Sequence, residues 1–213
     1  MNPGFEIIMT EDGSPTLYSE QFKSTYHSQK GALDESMHVF IRNGFDIAKE
    51  KSDVIRILEV GFGTGLNAQL TLSHAKNNQV YYHGIEKFPL PETIYKQLNY
   101  PGDHFLDLHN CEWNNDIRIT PAFTLRKTHA GIESLKLEPN YNLIYLDAFA
   151  PTHQKEIWQT ETLRKLYDCL VTGGILVTFC AQGQFKRDLK SLGFRVESPI
   201  GAAGKREMTR ATK

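Results

Sequence analysis

The chain has 213 residues, 40% of them hydrophobic and 23% charged, with a formal net charge of −1. A chain of that size can bury the core of one α/β domain without disulfides or a structural metal, and its near-zero charge excludes a protein that coats nucleic acid through bulk charge. No segment is apolar over the length of a bilayer, the start Met1 to Glu6 lacks the basic and apolar runs of a secretory signal, and Cys111, Cys169 and Cys180 are too far apart for a zinc or redox pair, so the expectation is a soluble, cytoplasmic, metal-free protein.

The first 50 residues show no regular pattern and read as an N-terminal segment ahead of a core over 55–213. No repeat, low-complexity tract or linker offers a boundary, so both belong to a single domain. Order begins with a strand at Ile55 to Val60, closed by glycines and followed by a helix at Leu66 to Lys76. A second strand runs from Val80 to Ile85, and Pro91 opens a helix reaching Leu98. Phe123 to Lys127 forms a third strand, Ile132 to Leu137 a short helix, and Asn142 to Leu146 a fourth strand. A helix at Thr160 to Leu170 leads into a fifth strand, Ile175 to Cys180. After a helix at Gln184 to Leu192, Phe194 to Ser198 and Glu207 to Ala211 are close enough to pair antiparallel at the sheet edge. Strands alternating with helices imply right-handed crossovers, hence an α/β, doubly wound, mostly parallel seven-stranded sheet. Ligands bind such sheets beyond the carboxyl ends of the strands, so Gly61, Glu86, His129 and Asp147 are expected on one rim.

The loop after the first strand, Glu59-Val60-Gly61-Phe62-Gly63-Thr64-Gly65, carries alternating glycines that leave room for a ligand against the backbone. A nicotinamide dinucleotide fingerprint needs its third glycine where Leu66 stands, and a phosphate loop needs a lysine where Leu66-Asn67 stands. What fits is a nucleoside cofactor with an amino-acid tail, whose ammonium Glu59 can meet. S-adenosylmethionine has that shape. Glu86, after the second strand, supplies the carboxylate that accepts hydrogen bonds from both ribose hydroxyls.

Asp147-Ala148-Phe149-Ala150-Pro151 follows the fourth strand and places a carboxylate and a ring on the same rim. When an amine attacks a sulfonium methyl, positive charge moves onto nitrogen; a carboxylate can take the proton and an aromatic face attracts the cation. Asp147 and Phe149 are the candidate catalytic pair, the plain alternative being a cap and a core residue.

The chain resembles the methyltransferase domain of the bacterial tRNA enzyme that forms 5-methylaminomethyl-2-thiouridine at the wobble position, a class I S-adenosylmethionine-dependent type. The likeness rests on Tyr26-His27-Ser28, Gly31-Ala32-Leu33 and His38-Val39-Phe40, then GFGTGLN at 61–67, EKFPL at 86–90, DAFAP at 147–151 and GKREM at 204–208. It implies methylation of the primary amine of 5-aminomethyl-2-thiouridine in tRNA, with Asp147 near the amine and Phe149 beside it. It also places Tyr26 and Asn67 with the cofactor loop. Bifunctional members carry a further flavin-dependent oxidoreductase domain, and a chain ending at Lys213 is expected to lack that step.

Where the family has an acidic residue to contact adenine, this chain has His129, whose neutral imidazole can still accept a hydrogen bond. Ala148 stands where glycine is common. From Gln184 onward eight Lys and Arg face three Asp and Glu, a local +5 that leaves −6 on the preceding residues. Lys205 and Arg206 therefore read either as charges that solubilise an edge or, by the resemblance, as tRNA phosphate contacts. Tyr18, Tyr26 and Trp158 are the candidates for stacking on single-stranded RNA. The competing readings are an aminopropyltransferase of the spermidine synthase type, a small-molecule amine methyltransferase, and a non-catalytic RNA-binding module on the same fold. An N-terminal segment too short and irregular for a β-rich domain speaks against the first.

Overall fold

The computed structural model describes residues 4–76, 78–202 and 204–213; the first three residues of the start, examined above for a signal, lie outside them. The N-terminal segment is not irregular. It forms β1 (Phe5–Met9), β2 (Pro15–Ser19) and β3 (Ser24–Thr25), an antiparallel three-stranded sheet. A continuous helical stretch follows: α1 (Ala32–Ser36), a π-type segment over Met37–Phe45, and α2 (Asp46–Lys49). The hairpin escapes the alternation test because its outer strand is half-exposed along its length while β2 is buried on both faces.

The core contains β4 (Val54–Val60), α3 (Leu66–His74), β5 (Gln79–Glu86), α4 (Glu92–Tyr95), α5 (Phe105–Asn110), β6 (Asp116–Thr120) and β7 (Phe123–His129). It continues with β8 (Tyr141–Leu146), α6 (Thr160–Cys169), β9 (Leu170–Thr178), α7 (Gly183–Ser191), β10 (Arg195–Glu197) and β11 (Thr209–Thr212). Among the described residues these strands make an eight-stranded sheet in the order β10-β11-β9-β8-β4-β5-β7-β6. β9, β8, β4, β5 and β7 run parallel, and β11 and β10 pair antiparallel at one edge as expected.

The expected count of seven falls one short. β6 pairs antiparallel with β7 at the far edge, a short half-exposed strand whose outward Asp116 and Arg118 discourage further pairing. The fifth strand starts at Leu170, where it already pairs with Tyr141 before the register shifts. The helix expected over 132–137 is one 3-10 turn, Ile132–Ser134.

Alternation along the strands splits the interior into two layers. Ile55 and Ile57 of β4, Tyr145 of β8 and Val177 of β9 meet Phe40 and Phe45 of the π-type stretch on one face. Leu58, Val60, Ile144 and Leu176 face Leu163 and Leu166 of α6 and Phe185 of α7 on the other. Gly44 lets the helical stretch lie on the sheet, since a Cβ there would stand 3.0 Å from Val177 Cγ2.

Asp12 ties the N-terminal hairpin to α1. Its carboxylate accepts from Ser14 N at 2.9 Å, Asp34 N at 3.0 Å and the Thr10 hydroxyl at 2.7 Å. Burial opposes ionisation, yet hydrogen bonds from Ser14, Thr10 and the Asp34 backbone outweigh it and bring the Asp12 carboxyl down to about 2 from 3.8. A depressed folded-state value contributes stability above the unfolded value, and that stability is lost as pH falls through it. Asp12→Ala is expected to cost about 1–2 kcal/mol, the range of a lost helix cap. Denaturant melts at neutral pH would measure that cost, and the gap to the wild type should close between pH 4 and 2.

Candidate active site

The strand order reverses direction between β4 and β8, so the loops that leave them diverge and open a crevice. Gly61 follows β4 and Asp147 follows β8; Gly61 N donates to Ile85 O of β5 at 3.0 Å, and Asp147 N donates to Val60 O at the end of β4 at 3.0 Å. The crevice holds a cavity of about 1210 Å³ that includes open solvent, with Gly61, Gly63, Asn67, Glu86, Asp147, Phe149, Tyr26 and Lys205 among its lining residues.

The glycine loop is shaped for close approach. Gly61 has φ +92°, and a Cβ there would sit 2.4 Å from the Asp147 carbonyl oxygen. Gly63 has φ +49° and would press its Cβ on the Tyr26 ring at 3.1 Å. Gly65, at φ +73°, is set back against His109 and Phe62 and does not line the cavity; it lets the chain turn into α3. In β5, Gly84 leaves room for the Phe62 ring, whose Cδ2 would lie 2.6 Å from a Cβ at that position.

Glu86 bridges the loop and the cavity. It accepts Gly63 N at 2.9 Å and Phe88 N at 2.8 Å. Burial raises its carboxyl above the usual range, countered by those backbone donors. Glu59 is placed differently from its expected role at a ligand ammonium: it is 0% exposed, lies beneath the loop and is not part of the lining. Asn67 links it to the surface, donating through Nδ2 to Glu59 Oε1 at 2.9 Å and to Asp147 Oδ2 at 2.8 Å. Burial, with Asp147 as a nearby like charge, pushes Glu59 well up, favouring its neutral form.

Burial also pushes the Asp147 carboxyl up to about 7; repulsion from Glu35 adds to this, while the Asn67 hydrogen bond and Lys205 oppose it. Phe149 stacks on Phe22 at 4.3 Å between centroids and meets Tyr26 edge-on at 4.9 Å, walling the cavity beside Asp147. Trp158 is fixed in the core, its Nε1 donating to Phe149 O at 2.9 Å. It therefore buttresses the wall and does not present a stacking face.

His129 ends β7 on the expected rim but is exposed and lies against Trp113 at 5.9 Å, while the next residues, Ala130 to Ile132, line the cavity. Lys205 and Arg206 are both exposed and both border an open groove with Pro151, Phe179 and Gln182, but Lys205 also reaches the cavity, where its Nζ donates to Glu35 Oε1 at 2.5 Å. Phe22 and Glu35 escape sequence reasoning because they come from β2–β3 and α1, elements without a visible pattern. His27 also joins the lining, with burial holding its imidazole down at about 4 and its ring nitrogens against Thr16 and Thr64 hydroxyls.

The residues suit a nucleoside cofactor with an amino-acid tail: a loop without side-chain bulk, a carboxylate acceptor at Glu86, and both charge signs in the lining. No helix among the described residues is long and apolar enough to cross a membrane, and no group of three or more His, Cys, Asp or Glu is placed there to hold a metal.

The chain is similar to the tRNA 5-methylaminomethyl-2-thiouridine biosynthesis bifunctional protein MnmC of Cupriavidus metallidurans, 29% identical over 96% of this chain and 33% of the relative. It thus spans about a third of the length of such curated relatives. The crystal structure of MNMC2 from Aquifex aeolicus superposes with a TM-score of 0.82 at 28% identity, covering 98% of this chain and 70% of that one. A probable spermidine synthase from Corynebacterium glutamicum shares the fold at a TM-score of 0.58 and 15% identity, over 98% of this chain and 76% of its own. A family model described as S-adenosyl-L-methionine-dependent methyltransferase matches residues 85–213, from the end of β5 through Asp147 to the last strand. The chain therefore belongs to the S-adenosyl-L-methionine-dependent methyltransferases and is an enzyme that takes S-adenosylmethionine as its cofactor.

Proposed function

We propose that this enzyme methylates the primary amine of 5-aminomethyl-2-thiouridine at the tRNA wobble position, giving 5-methylaminomethyl-2-thiouridine. The observation that carries the reading is the Asp147 carboxylate lining the cavity beside the Phe149–Phe22–Tyr26 wall. The similarity to a protein named for biosynthesis of that nucleoside supports it.

When bound, S-adenosylmethionine would supply a sulfonium methyl to the amine lone pair, the N–C bond forming as the C–S bond breaks and a neutral thioether leaving. Asp147 Oδ1, the oxygen not engaged by Asn67, takes the proton that the amine must lose or balances the ammonium as it forms. The aromatic wall excludes water and favours the alkylated cation. Most of the acceleration comes from holding amine and methyl in line, so no covalent intermediate on the protein is needed. Glu86 would hold the ribose, and the Gly61–Gly63 backbone would lie against the nucleoside. Arg206 is the RNA-facing charge beside the cavity mouth.

Aminopropyl transfer loses the objection based on an irregular N-terminus, because β1–β3 form a sheet. The two readings separate by acceptor. With methyl-labelled S-adenosylmethionine, label is expected in tRNA from cells that make the aminomethyl nucleoside, whereas decarboxylated S-adenosylmethionine with putrescine is expected to give no spermidine; formation of spermidine and 5′-methylthioadenosine, with no label in tRNA, would overturn the assignment. Glu86→Ala is expected to weaken S-adenosylhomocysteine binding roughly 10- to 100-fold, the scale of charged hydrogen bonds lost. Calorimetry reads this directly, and an unchanged affinity removes Glu86 from the ribose site.

A further inference from the structure

We infer that Lys205, held by Glu35, receives the α-carboxylate of the methionine end of S-adenosylmethionine, so that this pair reads the amino-acid tail of the cofactor. Among the described residues lining the cavity, only Lys87 and Lys205 carry a fixed positive charge. Lys87 belongs with the ribose carboxylate Glu86, which it follows directly, and its partner Glu133, at 2.6 Å, is a half-exposed side chain. Lys205 stands beside Glu35, and Ser28 and Asp147 of the same neighbourhood also line the cavity.

Lys205 is unusually constrained for a lysine on a loop. Its Nζ donates to Glu35 Oε1 at 2.5 Å and lies 5.0 Å from the centre of the Phe179 ring. Glu35 is itself nearly buried, its side chain 8% exposed against 43% for Lys205, and its second oxygen accepts Ser28 N at 2.8 Å. A carboxylate fixed on two sides aims the ammonium, which keeps further N–H donors for an anion entering the cavity. The mutual electrostatic influence of Asp147, Glu35 and Lys205 makes the same point: the three charges occupy one neighbourhood. A zwitterion suits that neighbourhood, its carboxylate on Lys205 and its ammonium toward Glu35. Glu59, buried beneath Asn67, is not available for the ammonium.

The assignment rests on the cofactor and not on the tRNA acceptor. It also sets a specificity: a decarboxylated cofactor, of the kind used for aminopropyl transfer, would leave Lys205 without its anion.

The test is calorimetry on the full chain with two ligands. S-adenosylhomocysteine carries the amino-acid tail; 5′-methylthioadenosine has the same nucleoside and sulfur but lacks it. Lys205→Met is expected to weaken S-adenosylhomocysteine roughly 10- to 100-fold, one charge-assisted hydrogen bond, and to leave 5′-methylthioadenosine unchanged. Lys205→Arg is expected to restore most of the loss. Equal weakening of both ligands would make the Lys205–Glu35 pair a structural strut and overturn the inference. So would unchanged S-adenosylhomocysteine affinity with a raised KM for tRNA, which would place Lys205 on RNA. A wild type that binds neither ligand would instead contradict the cofactor reading of the whole cavity.

Discussion

Asp147→Ala is expected to lower kcat by roughly 10²- to 10⁴-fold, the span of a lost general base, while S-adenosylhomocysteine affinity stays within a few-fold of wild type. The asymmetry follows from position. Asp147 lies at the switch point with its Oδ2 held by Asn67 Nδ2 at 2.8 Å, and its other oxygen is left for the acceptor. Burial and the neighbouring Glu35 lift its carboxyl to about 7, where it can still accept a proton near neutrality. A base must be ionised to act, so its contribution to the rate rises with pH through about 7. The amine, which ionises at about 8 or above as amino groups do, adds a second rise at higher pH. Asp147→Asn keeps the size of the side chain and is expected to remove the lower limb and retain the upper one. A kcat/KM profile from pH 6 to 9 reads both; an Asn variant with the wild-type rate and profile would take Asp147 out of the reaction.

Gly61→Ala is expected to abolish detectable turnover and to weaken S-adenosylhomocysteine at least about 100-fold, because backbone strain and a steric clash act together. The new Cβ would lie 2.4 Å from the Asp147 carbonyl oxygen, so the loop after β4 and the loop after β8 cannot both keep their places. Those two loops carry the nucleoside cradle and the catalytic carboxylate. Gly173→Ala is the matched control: φ is +77° there too, but nothing lies within 4 Å of the added atom. Its expected cost is the conformational term alone, about 1–2 kcal/mol of stability, with cofactor affinity unchanged. Equal losses of affinity in the two variants would show that general strain, and not the loop contact, governs binding.

The parts of this molecule that were legible in the sequence are those built from local pattern. β4, β5, β8 and β9 are runs of apolar β-formers because both faces of a parallel sheet are buried, and the glycines after β4 mark the turn at the switch point. The order of those strands then brings Gly61, Glu86 and Asp147 to one cavity although 86 positions separate the first from the last. What was hidden depends on contacts between distant segments. Phe22 gains its meaning only when the turn between β2 and β3 stacks it on Phe149. Glu35 pairs with a lysine 170 residues away. Nor can spacing tell that Glu59 points below the loop: alternation in β4 puts it on the opposite face from Leu58 and Val60, but only the packing of α3 shows that Asn67 stands between it and the cavity. GKREM likewise reads as one basic patch, yet Lys205 reaches Glu35 and the cavity as well as the open groove that both cations border.

The central claim is methyl transfer to an amine on tRNA, and nucleoside mass analysis tests it most directly. The enzyme would be incubated with S-adenosylmethionine bearing a deuterated methyl and with tRNA containing 5-aminomethyl-2-thiouridine, and the RNA digested to nucleosides. The account predicts a single deuterated methyl on that nucleoside, located on the side-chain nitrogen by fragmentation, and none with the Asp147→Ala variant. An unmodified 5-aminomethyl-2-thiouridine, recovered from a preparation that binds S-adenosylhomocysteine normally, would contradict it.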